Sequence, residues 1–176
     1  MRSLETIQKT FRVLQILTKI AMILSFVFAG LAALGTLCGV VWYNGGTVIG
    51  ADRELMYTLT ASGSLTKMIG ILLADTIAAL TDGILFAFAY RYFKSEQADG
   101  TPFTHRGAEQ IKRLGIRTIV LPLVATILSA VVCAVFGLPQ NDGNNWSNAP
   151  DLAMGIVLIL AGIIFRYGAD LEEIAK

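Results

Sequence analysis

Asp75 and Asp82 are the only charges in a run of 22 otherwise apolar or uncharged residues, 69–90. Seven residues is close to two helical turns. On a helix both carboxyls therefore project from one face, about 10.5 Å apart along the axis. Ala78, Ala79, Phe86 and Ala89 share that face, and small residues there let a neighbouring helix approach closely. A carboxyl in such surroundings has two states open to it. Burial disfavours the charged form, so it takes up a proton and donates a hydrogen bond; or it stays ionised in a wet cavity and attracts protons or cations. No Lys or Arg lies inside an apolar run to pair with either acid. The candidate neighbours at matching depth are hydroxyls: Thr126 and Ser129 for Asp82, Thr36 for Asp75. Asp82, near the middle of its run, is expected to be enclosed by helices and neutral.

Other reactive constellations are missing. Two acids two turns apart on one helix cannot share a proton as an aspartyl dyad does, at about 3 Å. The single histidine, His105, is too few for an HExxH or multi-histidine metal site. No Gly-x-Ser-x-Gly elbow or phosphate loop occurs. Cys38 and Cys133 make neither a disulfide scaffold nor a zinc cluster. Each stands five residues before the outer end of its apolar run, and free thiols are expected. The reading is of a non-enzymatic chain with no catalytic residues, no metal and no cofactor.

The elements that carry these residues are set by composition. The chain has 176 residues, 55% hydrophobic and only 15% charged, against about 25% charge in an average soluble domain. A net charge of +1 gives no basic footprint for nucleic acid. Four apolar runs stand out: 20–43, 69–90, 118–138 and 152–165, of 24, 22, 21 and 14 residues. A helix needs about 20 apolar residues to cross the hydrocarbon. The third run tolerates Pro122 because neighbouring helices satisfy a freed carbonyl. The fourth is short, and Arg166 must snorkel to lengthen it. The expected fold is all-α and polytopic, with a single membrane domain over 1–176. Its four spanning helices cover about 13–43, 66–93, 116–138 and 150–167, joined by outer loops 44–65 and 139–149 and a cytoplasmic loop 94–115.

Basic residues orient the spans. Twelve, from Arg2 and Lys9 to Arg166 and Lys176, fall on the side of the two termini and the 94–115 loop, against Arg53 and Lys67 opposite. Both termini are therefore expected in the cytoplasm. In the 94–115 loop, Pro102 suits the first position of a helix, and Ile111, Leu114 and Thr118 then share a face flanked by Arg106, Lys112 and Arg113. The expectation is a basic amphipathic helix before the third span that runs into it, with Gly115 as a soft joint. Arg106, Lys112, Arg113 and Arg117 form its basic surface, generic for an inner-leaflet helix or a dock for anionic lipid or a cytoplasmic partner. Val48 and residues 55–59 suit a short outer hairpin, and Asn141 to Asn145 a polar turn that ends in the formal sequon Asn145-Trp146-Ser147. Gly35 and Gly39 have the spacing for close helix packing, within the chain or between copies.

Two cytoplasmic stretches carry a resemblance. Gly100-Thr101-Pro102-Phe103-Thr104 before a basic Ile/Leu-rich helix, and Ile164-Phe165-Arg166-Tyr167-Gly168-Ala169-Asp170-Leu171-Glu172 in the tail, resemble the bacterial domain-of-unknown-function family numbered 2975. The resemblance implies a four-helix protein of the bacterial inner membrane and brings no reaction or site residues. Its usual acidic, Thr-containing end is replaced here by Ile174-Ala175-Lys176. Two functions then compete. One is a sensor, regulator or accessory subunit acting through the bilayer and through partners, a second copy or another membrane or cytoplasmic protein. The other is a small transporter or channel using Asp75 and Asp82 for protons or cations.

Overall fold

The computed structural model describes residues 2–45, 54, 58, 63–99, 104–138 and 149–174. Among the described residues four long helices follow one another: α1, Arg2–Tyr43; α2, Ser64–Asp99; α3, His105–Val135; and α4, Ala149–Ile174. All four are long and apolar enough to cross a membrane. The outer hairpin (apart from Thr58), the polar turn with its sequon, residues 100–103 and residues 175–176 lie outside the described residues.

Helix ends follow local chemistry. Thr104 caps α3 in an extended conformation (φ −112°, ψ 144°), and its Oγ1 accepts from Gly107 N at 2.9 Å. That hydroxyl satisfies an amide the first turn cannot bond internally. Pro102 therefore precedes the cap rather than opening the helix. At the other end Gly137 takes φ +61°, its N–H donates to Ala134 O, and Leu138 N–H donates to Cys133 O at 2.9 Å. This is the left-handed termination that glycine permits. Between these ends α3 is continuous, so the basic stretch from His105 and the third apolar run form one helix.

Gly115 is a packing contact instead of a joint. A Cβ placed there would meet Gly155 O at 2.8 Å and Ile159 N at 2.9 Å. The backbones of α3 and α4 touch, as small residues allow. Gly35 and Gly39 likewise face Leu72 and Ile69 of α2, so their spacing serves packing within the chain. The same seam sets Phe26 on Gly83 and Phe11 beside Phe93, which makes α1 and α2 antiparallel.

Neighbours in sequence are neighbours in space: α1 packs on α2, α2 on α3 and α3 on α4. The bundle stays open between α1 and α4. Its buried cluster, Tyr92, Ile111 and Leu114, lies at one end, where Phe88, Leu158 and Phe165 close round it. Along the apolar stretches only 6–17% of residues are buried within the chain, and Leu24, Leu34, Leu123, Ile127 and Ile164 are exposed. A soluble monomer does not leave such area bare. Surroundings as apolar as lipid account for it.

Candidate functional site

Helical spacing puts the two acids of the second apolar run where their function has to be sought. Asp75 and Asp82 line a shallow groove of about 330 Å³ between α1 and α2, with Ala78 and Ala79 beside them and Leu24, Ser25 and Phe28 opposite. Ala79 is buried in the seam, whereas both aspartates are exposed. The expectation that Asp82 is enclosed by the chain's own helices is corrected here. Asp82 stands beside the α1–α2 seam on a face of α2 that the chain's helices leave exposed.

The hydroxyls proposed as partners are placed as follows. Thr36, on α1, donates to Ala32 O at 2.9 Å. Thr126, on α3, donates to Pro122 O at 2.8 Å. Both bonds run back one turn along their own helix, a local alternative for a hydroxyl inside a helix. Ser129 is half-buried on α3. The hydroxyl in the acid groove is Ser25, which matching by depth passed over. Its signal was available: in an antiparallel hairpin of two helices, residue 25 stands at the level of residue 82.

At the opposite pole of α2, side chains converge from three helices. Glu96 is buried, 1% exposed, and its carboxylate lies against Gly107, where any side chain would collide with it. The first turn of α3 presents backbone N–H groups and the positive end of its dipole there, which favours an acid. Sequence reasoning missed Glu96, since a charged residue beyond an apolar run reads as solvated.

The basic residues of α3 divide between two clefts. Lys112 joins His105, Glu109 and Arg166 around a cleft of about 370 Å³ between α3 and α4. His105 Nε2 lies 3.7 Å from Asp170 Oδ1, so Asp170 reaches across to α3. Arg113 and Arg117 face α2, where they line a second cleft, of about 260 Å³, with Arg91, Tyr92 and Gln110. The Arg117 guanidinium carbon stands 3.9 Å above the Phe88 ring, a cation–π contact. Arg113 Nε donates to Glu109 Oε1 at 3.1 Å. Arg106 is exposed and lines neither cleft.

Cys38 and Cys133 are free thiols. Among the described residues no three His, Cys, Asp or Glu side chains gather as metal ligands. No protein-family model, curated protein or solved structure matches the chain.

Proposed function

We propose that the chain is a bacterial inner-membrane protein of the family its two cytoplasmic stretches resemble, with both termini inside. It works without catalysis, as a sensor, regulator or accessory subunit, by binding another membrane helix along the α1–α2 groove. One observation carries this reading: Asp75 and Asp82 are both exposed on the same open seam. An aspartate at the centre of a spanning helix costs about 3 kcal/mol on insertion scales. Two of them exposed to lipid are expensive, and a partner helix that covers both and excludes lipid from them lowers the cost. The small Ala78 and Ala79 leave room for its backbone.

The test uses the full chain extracted in mild detergent and sized by native mass spectrometry, with ion flux measured in liposomes. The unmodified chain is expected as a complex heavier than its own 18.9 kDa, without flux. Asp75→Leu with Asp82→Leu should release the monomer, while the Asn pair, which keeps the hydrogen bonds, should not. A monomer that conducts protons or cations, and stops when Asp82 becomes Asn, would establish the transport reading in its place.

A further inference from the structure

The α2–α3 cleft brings together features that no packing role requires. Arg91 from α2 and Arg113 and Arg117 from α3 line one space, with Tyr92 and Gln110 in its wall. Arg113 has an acidic partner, Glu109. Among the described residues no carboxylate forms an ion pair with Arg91 or Arg117. Three guanidiniums lining one cleft with a single paired acid leave an excess of positive charge there, and an anion between them relieves the repulsion. The donors suit one anion type. A guanidinium offers parallel N–H groups that match two oxygens of a phosphate, and the cation–π contact with Phe88 holds Arg117 beside the cleft.

The position of the cleft along the helices narrows the source. Arg91 is the residue after the second apolar run ends, and Arg117 the residue before the third begins. If these runs fill the hydrocarbon, as the membrane reading holds, both guanidiniums stand at the level of the lipid phosphates. Phe88, one turn deeper, offers an apolar wall where an acyl chain would start.

The geometry points to a site for the phosphate headgroup of an anionic phospholipid in the α2–α3 cleft, held by Arg91, Arg113 and Arg117. This rests on membrane insertion but not on the partner groove, which lies on a different seam. Such a lipid would lock the ends of α2 and α3 together where the buried cluster sits.

The test uses the full chain in non-ionic detergent, titrated with phosphatidylglycerol, phosphatidylcholine or glycerol phosphate. Bound lipid is read by native mass spectrometry and folding by circular dichroism. Phosphatidylglycerol is expected to bind in preference to phosphatidylcholine. Arg91→Gln and Arg117→Gln should each weaken it about fivefold, the effect expected per arginine at a membrane surface. Arg12→Gln, an exposed change on α1, should leave binding unchanged. If either Gln variant fails to fold, Arg91→Lys with Arg117→Lys carries the test, since it keeps charge but loses the two-pronged geometry; weaker binding is expected there too. Equal binding of phosphatidylcholine would overturn the site, and so would an unaffected Lys double variant. Glycerol phosphate binding as tightly as the lipid would reassign it to a soluble anion. Equal weakening by Arg12→Gln would reduce it to diffuse attraction.

Discussion

Replacing Gly115 by alanine adds one methyl group where α3 crosses α4, and the structure says what that methyl meets. Its carbon would lie 2.8 Å from Gly155 O and 2.9 Å from Ile159 N. Both are backbone atoms, which no side-chain rotation can move aside. An ordinary contact is about 3.5 Å, so the helix axes must separate by more than half an ångström along the crossing. Overpacking of this kind costs about 2 kcal/mol, and alanine returns up to about 1 kcal/mol through its higher helix propensity. The net expectation is a loss of at least about 1 kcal/mol. Gly30 is the matched control: it is helical, and a Cβ there meets nothing within 4 Å, so Gly30→Ala should be neutral or stabilising. Unfolding both variants in mixed micelles with increasing dodecyl sulfate, followed by circular dichroism, gives the two shifts side by side. Equal shifts, or a stabilised Gly115→Ala, would refute the close crossing of α3 and α4.

Three further expectations are simpler. Thr104→Ala removes the side-chain acceptor of Gly107 N and should cost about 1 kcal/mol, read in the same unfolding assay, with Thr104→Ser restoring it. A cysteine placed at Gln97 in a chain lacking Cys38 and Cys133 should resist an impermeant thiol reagent in intact cells and react after lysis; labelling from outside would reverse the topology drawn from the basic residues. Because Cys38 and Cys133 are free, reduction should leave electrophoretic mobility unchanged; a shift lost in Cys38→Ser would show a bond between them.

The spans were legible because hydrocarbon imposes one length on every helix that crosses it. Even the fourth, with 14 uncharged residues in its run, lies within a helix of 26. The common face of Asp75, Ala78, Ala79 and Asp82 was legible too, since helical periodicity alone decides it. Which helix lies opposite was not. Depth can be read from one run at a time, but adjacency depends on where backbones approach, and glycines carry that information ambiguously. Gly115 suited a flexible joint as well as a contact, and only Gly155 opposite separates the two. Ser25 was overlooked for the same reason. Glu96 was hidden because burial at a helix start looks, in one dimension, like an ordinary charged turn. The division of the basic surface between two clefts follows from the 100° step between residues 112 and 113, once α2 and α4 are known to flank α3.

The claim that a second membrane helix covers the acids is tested most directly by a photo-crosslinking residue at Ala78, between the two aspartates in the groove. The same residue at Leu123, exposed on α3, is the comparison. In native membranes, position 78 should give a discrete protein adduct that disappears when Asp75 and Asp82 are both changed to Leu, and position 123 should give only lipid adducts. Lipid adducts alone at position 78, or a protein adduct indifferent to the loss of both acids, would contradict it.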